Sequence, residues 1–226
     1  ESYEVVIKTG LSEDEIIKTI GDFDALLVRS QTQVTQKIID AAKNLKVIGR
    51  AGVGIDNIDL DSATEKGIIV VNAPSANTIS AAEHAFGLML ATARHIPQGN
   101  ESLKNGKWER SNLMGSELYG KTLGLVGLGR IGAEVAKRAL AFEMQVLAHD
   151  PFVSDDRAKT LGVELVSIED LFSKSDFISL HTALVEQTKG IVNKQLLSNS
   201  KENLIIINAA RGPLINSKDL IDAIKS

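Results

Sequence analysis

Apolar positions along this chain follow two rhythms. Short, β-branched runs of four or five residues alternate with stretches in which apolar residues recur every three or four positions, so strands alternating with helices are predicted. In the first third, residues 4–7, 25–28, 46–49 and 68–71 read as strands. Between them, Ser12 and Glu15 stand at capping-box spacing before a short helix. Residues 34–42 read as a second helix, and 60–66 as a third that Gly67 stops. Further along, strands are predicted over 122–126, 145–148, 163–166, 176–180 and 204–207, with helices over 130–142, 167–172 and 216–224. Such alternation implies parallel sheets with right-handed crossovers. The segment Asn72, Ala73, Pro74, Ser75 reads as a hinge, giving one α/β domain over 1–73 and another over 74–226.

The longest helical stretch runs from Thr78 to Arg94. Ala81, Ala82, Ala85, Phe86, Leu88, Met89 and Ala93 make it apolar over more than one face. A helix of that kind is buried on several sides, here expected between domains and against a second subunit. The alternative is a wholly internal core helix.

Composition narrows the class. The 226 residues are 43% hydrophobic with a net charge of -4, an ordinary globular balance with no bias toward nucleic acid or an anionic membrane. The longest apolar run is far too short for a bilayer. No secretory leader is recognisable, and there is no cysteine, which removes disulfides, thiolate zinc sites and thiol nucleophiles. A cytoplasmic protein without a metal site is expected. The sequence starts at Glu1 and stops at Ser226, just after a helix. Five strands follow position 121 where a full dinucleotide domain has six, so a longer parent protein is expected.

The densest signal lies between Lys121 and Asp150. An apolar strand leads into Gly127, Gly129 and Gly132 at G-x-G-x-x-G spacing, a helix follows, and the next strand ends at Asp150, eighteen positions after Gly132. That order is a dinucleotide fingerprint. Gly127 permits the tight turn, Gly129 lets the backbone approach a pyrophosphate, and Gly132 brings helix and strand close. The N–H groups at the helix start suit the pyrophosphate. Asp150 suits both ribose hydroxyls and repels a 2′-phosphate, so NAD is expected over NADP. The plainer alternative is a glycine-rich turn in an ordinary βαβ unit. No such fingerprint occurs in the first domain.

Ligands of doubly wound folds bind beyond the carboxyl ends of the strands. His181 and Thr182 follow one such end, where the Thr182 hydroxyl and the nearby backbone can line the cofactor cleft. Arg211 follows the most apolar strand, and its planar fork suits a carboxylate held beside a carbonyl; pairing with a local acid such as Asp219 is the alternative. In the first domain, Arg29 and Arg50 follow adjacent strands, and the open backbone from Ala51 to Gly54 completes an anion cradle. Hydride transfer from an alcohol also needs a base. His84 reads as a buried structural residue, His95 as a cap on the long helix, and His149 as lying on the adenosine side. None of the four histidines is a convincing proton carrier.

Several stretches resemble the D-isomer-specific 2-hydroxyacid dehydrogenases. They are residues 28–30, 49–59, 72–74, 77–84, 106–110, 120–124 with the fingerprint, and 208–212. The Arg50 loop, the Asn77 stretch and residues 107–110 together resemble the phosphoglycerate branch. This resemblance implies a Rossmann-like doubly wound parallel sheet, incomplete at its C-terminus, and a smaller flavodoxin-like α/β substrate domain, incomplete at its N-terminus. It implies pyrophosphate contacts from Arg130 and Ile131, and further NAD contacts from Thr182, Ala209, Ala210 and the backbone of Val53. It implies a substrate cradle of Arg29, Arg50, Gly52, Val53, Gly54 and Asn77, with Arg110 reaching toward substrate, in some members across the dimer. Arg211 matches the catalytic arginine, and the helix from Thr78 to Arg94 matches the homodimer contact.

The activity so implied is NAD-dependent oxidation of 3-phospho-D-glycerate to 3-phosphohydroxypyruvate, the opening step of serine biosynthesis. Two departures stand out. Ala183 replaces a proline that many members have after His-Thr, so a somewhat less rigid loop is expected. The family's catalytic glutamate and histidine lie downstream of Ser226, so residues 1–226 alone are expected to be inactive. A broader 2-hydroxyacid dehydrogenase or glyoxylate/hydroxypyruvate reductase is the rival enzyme reading. A non-catalytic NAD(H)-sensing partner protein is the rival from another class.

Overall fold

The structure, a computed structural model, describes residues 3–225. Two compact units form, Glu1–Asn77 and Thr78–Ser226, and each builds its own parallel sheet.

In the first unit the order is α1 (Glu13–Thr19), β1 (Ala25–Val28), α2 (Gln36–Ala41), β2 (Val47–Arg50), α3 (Leu60–Glu65) and β3 (Ile69–Asn72). Ser12 caps α1, and Glu15 reaches back to the Ser12 N–H at 2.8 Å. Asp59 caps α3 through the Ser62 N–H at 2.9 Å. The strands lie in the order β1-β2-β3. Val28 and Ile48 pack with Ile38, Ile39 and Ala63 of the helices into one core. On the other face, Leu27, Gly49 and Val71 stand in register, and the two side chains there are exposed.

The strand expected over 4–7 does not form, and Tyr3, Val5 and Ile7 are exposed. Alternating apolar residues are a local signal, whereas a strand exists only against a partner. Among the described residues the outer edge of β1 has none.

The second unit opens with α4 (Thr78–Ala93) and α5 (Ile96–Lys104), then alternates β4 (Thr122–Val126), α6 (Arg130–Ala141), β5 (Gln145–His149), α7 (Asp155–Thr160), β6 (Glu164–Leu165), α8 (Ile168–Lys174), β7 (Phe177–Leu180), α9 (Lys194–Ser198), β8 (Ile205–Asn208) and α10 (Ser217–Lys225). Strand order is β6-β5-β4-β7-β8. The first strand of the sheet is thus central and the chain winds outward to both sides, the doubly wound arrangement.

One side of the sheet packs Leu123 and Leu125 with Val135, Ala136 and Ala139 of α6 and with Ala82, Ala85, Phe86 and Met89 of α4. The other packs Val126, Ile178 and Leu180 against Leu171, Phe172, Leu196 and Leu214. Phe86 meets Phe142 edge to face at 4.9 Å. One face of α4 is therefore core of its own unit, while Ile79 and Leu88 on the rest of the helix are exposed. His84 is exposed too, correcting the buried role expected of it. It stands two positions from Ala82, across the helix from the buried stripe.

Candidate active site

Parallel register aligns the ends of four strands. Val126 pairs with His149 on one side and Leu180 on the other, and Leu180 pairs with Asn208. Gly127, Asp150, His181 and Ala209 are thus the first residues past the carboxyl edge of β4, β5, β7 and β8. The glycine loop, the acid, the His-Thr pair and the Arg211 turn all belong to this one edge.

The three glycines answer to different constraints. Gly127 has φ of 99°, and a Cβ there would stand 2.8 Å from the His181 carbonyl carbon and 2.9 Å from the Thr182 nitrogen. A Cβ at Gly132 would overlap the Gly127 carbonyl oxygen. These two are required by close backbone packing. Gly129 is exposed, and a Cβ there would meet nothing within 4 Å. Its lack of a side chain serves no internal contact; it leaves the N-cap of α6 open to a ligand. Arg130 is exposed on the first turn, where helical N–H groups have no intrahelical acceptor, and Ile131 packs against the core. The open cradle, the helix start and the nearby acid fit a dinucleotide pyrophosphate and ribose.

Asp150 does more than the sequence suggested. Its Oδ2 accepts the Leu128 N–H at 2.8 Å and its Oδ1 accepts the Phe152 N–H at 2.9 Å. The carboxylate ties the glycine loop to the end of β5, and each oxygen keeps a lone pair for a ribose hydroxyl. His149 turns away, its Nδ1 at 3.2 Å from the Val166 carbonyl.

On the other side of β4, His181 is half-buried, and its Nε2 lies 2.8 Å from Ser179 Oγ. Desolvation lowers its pKa to about 4, so the ring is neutral near pH 7. The loop after Thr182 is tied by Thr188, whose hydroxyl donates to the Ala183 carbonyl at 2.6 Å and accepts the Val185 N–H at 2.9 Å.

Arg211 is held by a residue with no role assigned from sequence. Asn208 donates from Nδ2 to the Arg211 carbonyl at 2.9 Å, and its Oδ1 accepts the Ala210 N–H at 3.1 Å. This closes the 208–211 turn on itself. Arg211 Nη1 donates to the Ala210 carbonyl at 2.9 Å. Asp219 accepts the Lys194 N–H through Oδ2 at 2.9 Å. The visible signal for Asn208 is an asparagine closing an apolar strand, and Asn72 repeats it in the first unit.

There, Val28, Arg50 and Asn72 share one row. Asn72 Nδ2 donates to the Val53 carbonyl at 2.7 Å. The buried Asn57 donates to the Arg29 and Thr32 carbonyls at 3.1 and 2.7 Å. Both fix loops that carry predicted ligand contacts. Arg29 is exposed. Arg50 folds back over Gly52, where any Cβ would overlap its guanidinium. Its Nη1 donates to the Ala51 carbonyl at 3.2 Å, and its Nε is buried without a hydrogen-bond partner. Gly54 is half-buried and Asn77 exposed. Arg110 belongs to the second unit, exposed at the start of a 3-10 turn, Arg110–Leu113. His95 takes a left-handed backbone at the α4–α5 corner, where its N–H, and not its ring, bonds the Thr92 carbonyl at 3.3 Å.

Known proteins share this arrangement. Residues 86–226 match the family described as D-isomer specific 2-hydroxyacid dehydrogenase, NAD binding domain. D-3-phosphoglycerate dehydrogenase of Archaeoglobus fulgidus is 54% identical over 223 residues, covering 99% of this chain and 42% of that protein. The chain thus spans about two fifths of the length of that curated relative. Hydroxypyruvate reductase of Thermotoga maritima is 52% identical over 216 residues, covering 96% of this chain and 70% of that protein. Among solved structures, D-lactate dehydrogenase from Aquifex aeolicus complexed with NAD and lactic acid aligns with a TM-score of 0.87 at 31% identity, over 92% of this chain and 63% of that one. With its glycine loop, ribose-side acid and doubly wound sheet, the chain belongs to the D-isomer specific 2-hydroxyacid dehydrogenase family and carries that family's NAD-binding domain.

Proposed function

We propose that this chain is the NAD-binding and substrate-binding part of an enzyme that oxidises 3-phospho-D-glycerate to 3-phosphohydroxypyruvate, the opening step of serine biosynthesis, in the cytoplasm. The observation that carries the reading is the placement of Arg211 on the same carboxyl edge as the glycine loop. A hydride acceptor and a carboxylate-binding cation thereby belong to one sheet edge. Bound NAD supplies the hydride acceptor. Gly127, Gly129, Gly132, Arg130 and Ile131 hold its pyrophosphate, Asp150 its ribose, and Thr182, Ala209 and Ala210 line the remainder, with the Val53 backbone a further candidate. Arg211 holds the substrate carboxylate and polarises the C2 oxygen, charge stabilisation of the kind worth about 3 kcal/mol.

A second anionic group on the substrate is supported by Arg50. A buried guanidinium nitrogen with no partner calls for an explanation, and an incoming phosphate oxygen is a suitable one. Arg29, Gly52, Gly54 and Asn77 complete this cradle, and Arg110 is a further substrate-binding candidate. Residues 1–226 alone bind NAD weakly or moderately and turn over negligibly on this reading; of their histidines, the His181 ring is engaged with Ser179 and His149 with a backbone carbonyl. A homodimer through α4 accounts for the exposed Ile79 and Leu88.

The test is a substrate panel on the full-length protein with NAD. Preference for the phosphorylated acid by at least about tenfold in kcat/KM supports the reading. Equal rates with D-glycerate would favour the second reading, a hydroxypyruvate reductase like the Thermotoga maritima relative.

A further inference from the structure

Beneath the glycine loop, one side chain is engaged in a way that neither hydride transfer nor substrate binding requires. Ser179 is the third residue of β7 and only 2% exposed. His181 is two positions on, so both side chains leave the strand on the same side. They meet at 2.8 Å between Oγ and Nε2. The main chain that this pair brackets is the surface on which the glycine loop rests. The His181 N–H donates to the Val126 carbonyl at 2.8 Å. Its carbonyl carbon and the Thr182 nitrogen fill the space where Gly127 would carry a Cβ, and its own Cβ stands 3.7 Å from the corresponding position on Gly132. Two of the three fingerprint glycines therefore abut residues 181 and 182.

We propose that His181 is a positioning residue for the dinucleotide: held by Ser179, it sets the height and orientation of the 181–182 backbone against which the Gly127–Gly132 loop is shaped. The pair is a strut between the interior of β7 and the cofactor-facing end of β4. A purely apolar side chain at 181 fills the volume but leaves the Ser179 hydroxyl buried and without its bond, and leaves the Thr182 backbone free to shift. Because a burial-neutralised imidazole carries no charge near pH 7, the role is one of geometry and hydrogen bonding.

This inference rests on the reading that the glycine loop holds the cofactor, and the experiment separates the two. NADH binding to the 226-residue chain is titrated by fluorescence for His181→Leu, His181→Gln, Ser179→Ala and Gly129→Val, and each variant's urea unfolding midpoint is measured alongside. His181→Leu and Ser179→Ala are expected to weaken NADH binding about tenfold, the loss of roughly one hydrogen bond's worth of organisation. His181→Gln, whose amide nitrogen reaches about where Nε2 sits, is expected to stay within about threefold of the native chain. His181→Leu, which strips the buried Ser179 hydroxyl of its bond, is expected to unfold at a lower urea concentration than His181→Gln, and binding is titrated on folded chains without denaturant, so that affinity and stability separate. Native affinity in both His181→Leu and Ser179→Ala, or equal weakening in Leu and Gln variants, overturns the proposal. Should His181→Leu fail to fold, Ser179→Ala decides alone. A Cβ at Gly129 meets nothing within 4 Å, and Gly129→Val is expected to abolish binding. If it binds NADH normally, the reading of the loop itself is wrong. If it blocks binding while the His181 and Ser179 variants bind normally, only the strut falls.

Discussion

Asp150 Oδ2 accepts the backbone N–H of Leu128 at 2.8 Å, so the acid proposed to face the ribose also holds the glycine loop in shape. On that proposal, discrimination between cofactors and integrity of the pyrophosphate cradle reside in one carboxylate. Replacing Asp150 with Ala removes the charge that repels a 2′-phosphate, but it also frees the Leu128 and Phe152 N–H groups. We expect Asp150→Ala to weaken NADH binding at least about tenfold without reaching native-like affinity for NADPH. Paired fluorescence titrations check this, and an alanine variant that binds NADPH as tightly as the native chain binds NADH would falsify it.

The glycines give a stability contrast. Gly132→Ala drives a Cβ into the Gly127 carbonyl oxygen, a backbone atom with no easy relaxation. A cost of about 1–3 kcal/mol is expected, typical of overpacking. Gly129→Ala meets open space, so its cost stays within about 1 kcal/mol, the scale of an N-cap change. Urea unfolding of the two variants measures the difference; equal midpoints would contradict it.

For the full-length enzyme, Arg211→Ala is expected to lower kcat/KM by at least about a hundredfold, the equivalent of roughly 3 kcal/mol of lost charge stabilisation. Arg211→Lys restores the charge without the fork and is expected to recover only part of it. Steady-state kinetics with both variants settle the point, and near-native turnover by Arg211→Ala would remove Arg211 from the chemistry.

Acid stability should decline in two windows. His181 has its folded pKa depressed to about 4 by desolvation, from an ordinary value of 6.5. The unfolded chain takes up that proton first, so stability present above pH 6.5 is lost as pH falls toward 4. Asp176 follows lower down. Desolvation raises its pKa, but hydrogen bonds from Lys201 and the Thr122 N–H, both at 2.8 Å, outweigh this and leave it lowered. Its contribution is present above the ordinary carboxylate pKa, near 3.8, and disappears as pH falls below it. Unfolding free energies across pH 3–7 are expected to fall less steeply for His181→Gln in the upper window and for Asp176→Asn in the lower. Parallel curves for native and variant chains would refute the assignments.

Much of the sheet architecture was readable because strands here are short apolar runs between sharp stops. The β4 limits match the predicted ones, and β1 likewise, while β2 and β3 end one residue later than expected, at Arg50 and Asn72. What escaped did so for local reasons. The nine residues of α5 contain both a proline and a glycine, and α7 and α9 are too short to establish a period. Residues 4–7 alternate correctly but lack a partner, a fact that no local pattern contains. The fingerprint's residues were legible, whereas their supports were not. Asn57 and Asn72 act through bonds to groups that only the folded chain brings near; Asn208 and Ser179 bond neighbours two or three positions on, but a polar residue at a strand end does not announce its acceptor. Arg50 was visible as a cation, but its folding over Gly52 was not.

The in-register ends of β5, β4, β7 and β8 act as a ruler. Neighbouring parallel strands are spaced by about 4.8 Å, so Asp150 and Ala209, three strands apart, stand at a separation of roughly 14 Å that is graduated by backbone hydrogen bonds. No helix enters that measurement. Sequence drift on α7, α8 or α9 can therefore alter the outside of the molecule, its charge and its solubility, while leaving the span between ribose acid and arginine turn unaltered. A slip of β8 by a single residue, in contrast, would turn its inward side chains outward and change the calibration at a stroke.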